Sequence, residues 1–379
     1  MTEPKTISQQ LQRQLAELAP DQAALLTEHG FDAQRFMQLA ARNLSAAVDN
    51  RVHGAVAAPE PEDIAELPGD PASLQALEAR GRRALARGEC ALIVLAGGMA
   101  TRMGGVIKAL VEAVDGHSFL DLRLLEVTGI GHGCPLWLMT SAATDAGLRS
   151  AFHAHPLGTS NVATFQQNLS LRLTPEGNLF RTANGEPETH APGHGDLPEA
   201  LQRSGLLRRF VDTGGKLVLI TNVDNLGATL DPTLIGWHLS HTSPVTCEVV
   251  DKVGTDRGGI PARLDGRPVI LEEFRLPEGF DPRAVRVFNT NTFWIDAEAL
   301  LTLDMPWTYF TVAKQSNGQS FVQFERLLGE ITAHLDTQFI RVPRVGPRSR
   351  FLPVKDHAEL TQRREEIRQV ATSREILSA

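Results

Sequence analysis

The chain is poor in several residue types, and each shortage excludes something. Its 379 residues include three cysteines, one tyrosine and four tryptophans. Cys90, Cys134 and Cys247 stand far apart, which gives neither a disulfide framework nor the paired spacing of a zinc site. A reducing, cytoplasmic setting is the expectation. Excess basic charge is also missing. A formal net charge of −8 argues against a nucleic-acid partner held by backbone electrostatics. No apolar run reaches membrane-spanning length, and the opening MTEPKTISQQLQRQ has no signal-peptide core, so no membrane partner is expected. The dinucleotide fingerprint G-x-G-x-x-G and the G-K-[ST] ending of a Walker loop are absent. No internal repeat is visible.

What remains is an ordinary globular composition, 42% apolar and 22% charged, in a chain long enough for two or three domains. Residues 5–48 carry helical periodicity, with Leu11, Leu15 and Leu18 on one stripe and Phe31, Phe36, Leu39 and Leu44 on another. Residues 54–71, rich in proline, alanine and acid, read as a surface linker, and 72–88 return to helix. From residue 90 apolar runs of strand length alternate with helical stretches: 91–96, 135–139, 217–221, 245–250, 268–271 and 338–342. This alternation predicts an α/β fold, a mostly parallel sheet with helices on both faces. Ligands of such sheets bind outside the carboxyl ends of the strands, so the residues after each run are the ones of interest.

The first run leads into Gly97, Gly98, Arg102, Gly104, Gly105 and Lys108. Glycines let a ligand approach the backbone, free N–H groups suit phosphate oxygens, and two cations add charge. Glycine turns of this kind also follow strands that bind nothing, so both readings stay open here. Thr140, Ser141, Thr144 and Asp145 read as a helix cap. Gln167 offers a donor and an acceptor that suit an imide edge such as uracil, or it is a surface amide. In HAPGHGDLPEAL, residues 190–201, Gly193 and Gly195 form a tight turn, His194 faces whatever binds, and Asp196 occupies the cap position of a helix. Asp224, just past a buried strand, suits either a metal or a helix cap, and Asn225 is able to share the capping. A hairpin turns at Asp265-Gly266. Of Glu272 and Glu273, one at most enters a site. Asn289 and Asn291 suit sugar hydroxyls, or they are solvated amides on an edge strand. Arg344, Arg348, Arg350 and Lys355 suit a phosphate, or form a solvated basic loop. Residues 356–379 read as a charged helix.

Seven segments occur in one order: LAGGMATRMGGVIK, FQQ, PGHGD, NVDNLGATLD, GGIPARLDGRPVILEEFRLP, FNTNTFWID and RSRFLPVK. In that order and spacing the chain, over about residues 90–358, resembles the eukaryotic-type UTP–glucose-1-phosphate uridylyltransferases. The related UDP-N-acetylglucosamine pyrophosphorylases share the skeleton. The resemblance implies a Rossmann-like nucleotidyltransferase mixed sheet flanked by helices, with a helical N-terminal segment (1–88), a catalytic domain (89–358) and a C-terminal helix (359–379). The C-terminal β-helix of many family members is not expected here, which implies a monomer or weak dimer.

The implied activity is Mg²⁺-dependent transfer of uridylyl from UTP to glucose 1-phosphate, with UTP and the sugar phosphate as the partners. Carried over residue by residue, Gly97 and Gly98 bound the nucleotide, Arg102 and Lys108 hold its phosphates, and Gln167 reads uracil with Gly193. His194 and Asn222 lie near the sugar and its phosphate, and Asp224 holds Mg²⁺. Gly259, Glu272, Asn289 and Asn291 line the sugar pocket, and Lys355 contacts a phosphate. Ala100 and Ile107 depart from the usual glycine and proline. Another hexose 1-phosphate, N-acetylglucosamine 1-phosphate included, remains an alternative acceptor, although His194 disfavours the N-acetyl branch. A non-catalytic nucleotide-sugar binder is the alternative from another class.

Overall fold

A computed structural model describes residues 4–44, 49–157, 161–254, 256–316 and 318–378. Residues 45–48, inside the stretch read as helical, Thr255 in the expected loop and Ala379 at the end of the expected C-terminal helix lie outside the described residues. The core is an eight-stranded sheet. Its strands, in chain order, are β1 (Ile64–Ala65), β2 (Cys90–Leu95), β3 (Leu136–Thr140), β4 (Val162–Gln166), β5 (Leu217–Asn222), β6 (Val245–Asp251), β7 (Val287–Asp296) and β8 (Thr337–Arg341). Across the sheet the order is β1-β8-β6-β7-β5-β2-β3-β4. Every neighbouring pair is parallel except those of β7, which runs antiparallel between β5 and β6. Cys90 to Val94, Leu217 to Ile220 and Val245 to Val250 are buried. Apolar runs without alternation are what strands covered on both faces require.

Three expectations need correction. Residues 268–271 do not join the main sheet. Arg267–Leu271 instead pairs with Ile260–Leu264 in a hairpin that turns at Asp265 (φ 51°) and Gly266 (φ 82°), as a type I′ turn demands. Asn289 and Asn291 lie on an internal strand, not an edge one. The stretch 54–71 is no free linker: Val56–Ala57 adds a strand to the hairpin, and Ile64–Ala65 adds one to the main sheet. Edge strand β4 escaped the apolar-run criterion because Val-Ala-Thr-Phe-Gln is short and half polar.

Helices Pro4–Ala16, Pro20–Glu28 and Ala33–Leu44 account for the N-terminal periodicity. They bury Ile7, Leu11, Leu26, Phe36 and Ala40 against Leu169, Leu171, Leu173, Leu179 and Phe324. This second core is polar at its rim, where Gln14 donates to Asn178 and accepts from the Leu179 N–H at 2.7 and 2.8 Å. The C-terminal helix is His357–Ser373, with Asp356 accepting from the Glu359 N–H at its start. Among the described residues no helix is long and apolar enough to cross a membrane.

Candidate active site

The parallel strands β2, β3, β4, β5, β6 and β8 end on one edge of the sheet, and antiparallel β7 begins there. After β2 the chain turns through Gly97 and Gly98 into a small hairpin, Met99–Ala100 against Val106–Ile107. Gly104 and Gly105 close it with positive φ of 88° and 75°. Arg102 is exposed at its tip and pairs with no described residue. Lys108 returns to the sheet edge, where its Nζ lies 2.5 Å from Asp224 Oδ2, with side chains 18% and 16% exposed. Ala100 is buried, and Ile107 packs over Gly147, where an added Cβ would come within 2.4 Å of Ile107 Cδ1.

Gly97 abuts Gln167: a Cβ there would lie 2.5 Å from Gln167 Oε1. The Gln167 N–H extends the β4 ladder to the Thr140 carbonyl (2.8 Å), and its Nε2 donates to the Gly193 carbonyl (3.3 Å). Gly193 has φ 106°, and a Cβ would meet the Arg326 carbonyl at 2.7 Å, so conformation and space both require glycine. Gly97, Gln167 and Gly193 thus converge at one place on the sheet edge. His194 is half-buried, and its Nδ1 accepts from the Leu328 N–H at 3.0 Å. Burial lowers its pKa to about 4, so near pH 7 the ring is neutral with its proton on Nε2.

Asn222 ends β5. Its Oδ1 accepts from Asn291 Nδ2 at 2.9 Å. Asn291 has φ 58° within a bulge where the β6–β7 register shifts between Cys247 and Val249. Its N–H donates to Asn289 Oδ1 (2.8 Å), which also accepts from Cys247 Sγ (3.2 Å), and the Asn289 N–H donates to the Gly259 carbonyl (2.8 Å). A Cβ on Gly259 would lie 2.8 Å from Glu272 Oε1. Asn222, Gly259, Glu272, Asn289 and Asn291 therefore form one contiguous polar cluster beside the Lys108–Asp224 pair. Glu273 turns away to Lys252, at 3.9 Å. Burial, and then the neighbouring Glu330 and Glu273, push the Glu272 carboxyl up to about 7.

The family model that matches this chain is that of the UTP–glucose-1-phosphate uridylyltransferases, over residues 33–377. The chain belongs to that family. It is 30% identical to the UTP–glucose-1-phosphate uridylyltransferase of Saccharomyces cerevisiae over 71% of its own length and 58% of the relative's. The barley (Hordeum vulgare) enzyme is likewise 30% identical, over 71% and 60%. The chain thus spans about three-fifths of these relatives. A UDP-glucose pyrophosphorylase V402W mutant from Leishmania major superposes with TM-score 0.71 at 25% identity, covering 91% of this chain and 79% of that one. The UDP-N-acetylglucosamine pyrophosphorylase from Trypanosoma brucei shares the fold, with TM-score 0.75 at 19% identity, covering 96% and 84%.

Within this uridylyltransferase-family fold, several residues do other work than their local sequence suggested. Asp196 makes no capping bond. Its carboxylate accepts from the Asn168 N–H (3.0 Å) and pairs with buried Arg326 (2.6 Å), and burial raises its pKa to about 6. Arg350 is not a phosphate cation of an open loop. It is buried in a bidentate pair with Glu248 on β6, at 3.0 and 2.5 Å, and also donates to the Thr229 carbonyl at 2.8 Å. Arg344 pairs with Asp256 (2.6 Å) and stacks on Phe288 and Phe351. Arg348 and Lys355 are exposed. The Lys355 side chain hydrogen-bonds no described residue, and its N–H donates to Glu359 Oε2 (2.7 Å). Arg326, Glu248 and Arg350 could have been flagged only as cations or acids set among apolar residues; nothing local named their partners.

Proposed function

We propose that this chain transfers uridylyl from UTP to glucose 1-phosphate, giving UDP-glucose and pyrophosphate. The observation that carries the reading is the double pairing around the end of β5: Asn222 with Asn291 at 2.9 Å, and Asp224 with Lys108 at 2.5 Å. Neutral amides for hydroxyls thus adjoin charged groups for phosphates, and the amide pocket for an imide lies at Gln167 on the same sheet edge.

The chemistry needs no nucleophile–base pair. An oxygen of the sugar phosphate is ionised near pH 7 and attacks the α-phosphorus. A new P–O bond forms, the bond to the bridging oxygen of the β-phosphate breaks, and pyrophosphate leaves. The barrier lies in bringing two anions together and stabilising the charge that shifts to the leaving group. Lys108 and Lys355 supply positive charge, and Gly97 and Gly98 offer backbone close to the nucleotide. His194, held neutral, donates a hydrogen bond from Nε2 and does not shuttle protons. Mg²⁺ would be held by Asp224. One partly buried carboxylate suits a hard cation that completes its shell with phosphate and water oxygens. Among the described residues no group of three or more His, Cys, Asp or Glu forms an all-protein cage. When bound, the ion would supply charge to the triphosphate.

The test is pyrophosphate release from UTP, Mg²⁺ and a panel of sugar 1-phosphates. Release is expected with glucose 1-phosphate, at least about tenfold faster than with N-acetylglucosamine 1-phosphate. Asp224→Ala is expected to lower turnover by about a hundredfold or more while circular dichroism stays unchanged. If no pair releases pyrophosphate while UDP-glucose still binds, the chain is a non-catalytic nucleotide-sugar binder.

A further inference from the structure

We infer that Asn225 is a positioning residue that sets Lys355 in register with Asp224; its consequence for turnover rests on the uridylyl-transfer reading. Asn225 directly follows Asp224 and is 1% exposed. Its side chain pairs with a distant backbone segment as a neighbouring strand would. Oδ1 accepts from the Leu352 N–H at 2.8 Å, and Nδ2 donates to the Arg350 carbonyl at 3.2 Å. Lys355 follows three residues later. Only an amide side chain offers an acceptor and a donor side by side for this task; aspartate lacks the donor and leucine lacks both.

Both sides of the clamp are anchored. The Asn225 carbonyl accepts from Arg123 Nη2 at 2.7 Å, and Arg123 Nη1 donates to the Ala228 carbonyl at 2.9 Å. Arg123 is itself buried and paired with Glu126. On the other side, the Arg350 guanidinium is fixed to Glu248 and Thr229. Gly227 completes the contact: a Cβ there would lie 2.7 Å from the Arg350 carbonyl carbon. The end of β5 and segment 350–352 are thereby one rigid unit, so Lys355 leaves the backbone at a fixed place although its side chain is exposed. A cation that must meet a shifting charge gains from such a fixed origin, because small misplacements are costly in rate.

The experiment is a double-mutant cycle on the full chain, with amide hydrogen exchange as its second arm. Asn225→Ala is expected to lower kcat about tenfold or more, with KM for UTP within about twofold. In the Lys355→Ala background the same change is expected to cost less than about twofold, while its lowering of the melting temperature is equal in both backgrounds. Gly227→Ala, which pushes on the same segment, should repeat this pattern if Asn225→Ala does not fold. The Leu352 amide is expected to exchange about tenfold faster in either variant. A role in stability alone would give kcat losses that multiply across the two backgrounds, and that result overturns the inference. If the wild-type chain turns over no UTP with any sugar 1-phosphate, the uridylyl-transfer reading fails separately. Unchanged Leu352 protection in both variants then overturns the clamp itself.

Discussion

Glu272→Gln probes the least comfortable carboxylate at the sheet edge. The folded chain holds this group at about 7, against an ordinary value of 4.5 that the unfolded chain regains. At roughly 1.4 kcal/mol per pH unit the interval corresponds to about 3.5 kcal/mol, and water at the partly open rim reduces it to about 2. The sign follows from proton binding. Below 4.5 both states are protonated and the group is neutral to stability. Between 4.5 and 7 the unfolded chain has released its proton and the folded chain has not, so stability falls as pH rises. Above about 7 the full cost is present. Glutamine does not titrate, and the Glu272 side chain gives up no hydrogen bond to a described residue. The two proteins should therefore melt together near pH 4.5 and diverge with pH, the variant melting a few degrees higher at pH 8. Scanning fluorimetry from pH 4.5 to 8.5 reads this directly. Parallel curves across that range, or a less stable variant at pH 8, would refute the placement of Glu272 in a desolvated pocket beside Glu330.

Two further changes test other parts of the site. Gly97→Ala puts a Cβ 2.5 Å from Gln167 Oε1 and must displace the amide; KM for UTP should rise about tenfold, roughly 1.4 kcal/mol, with a smaller change in kcat and weaker discrimination against CTP. Arg350→Met strands buried Glu248 without its cationic partner, leaving it the Trp294 Nε1 hydrogen bond (2.8 Å), and should cost about 3–5 kcal/mol in denaturant unfolding, whereas the double change with Glu248→Gln, which keeps an acceptor for the indole N–H, should recover part of it because the unpaired buried charge is gone.

Legibility followed the range of the interactions. The glycine turn at 97–98, the Asp265-Gly266 hairpin and the helix at 357–373 were readable because backbone conformation and periodicity are written within a few residues. Asp224 and Asn222 were legible as positions, since a polar residue just past an apolar run falls on the ligand-binding edge of a parallel sheet; Gln167 follows a strand that the apolar-run criterion missed and was named only by its place in the FQQ segment. Partner choice was not. Glu248 and Arg350 are separated by 102 residues, Asp196 and Arg326 by 130. Locally, Asp196 looks like a cap and Arg350 like a phosphate ligand, and each would have served had no opposite charge been brought within reach.

By itself, then, the sequence determined the alternation of elements, the turns that demand glycine and which strand ends carry polar chemistry, because these rest on local sterics and hydrophobic period. Only the tertiary structure decided that β7 enters antiparallel between β5 and β6. That insertion carries Asn289 and Asn291 to Asn222, while the pairing of β2 with β5 closes Lys108 on Asp224 and the pairing of β8 with β6 brings Arg350 in from the surface to neutralise Glu248. Sheet order is set by how whole faces bury one another, and a charge so buried must take the partner that the packing supplies.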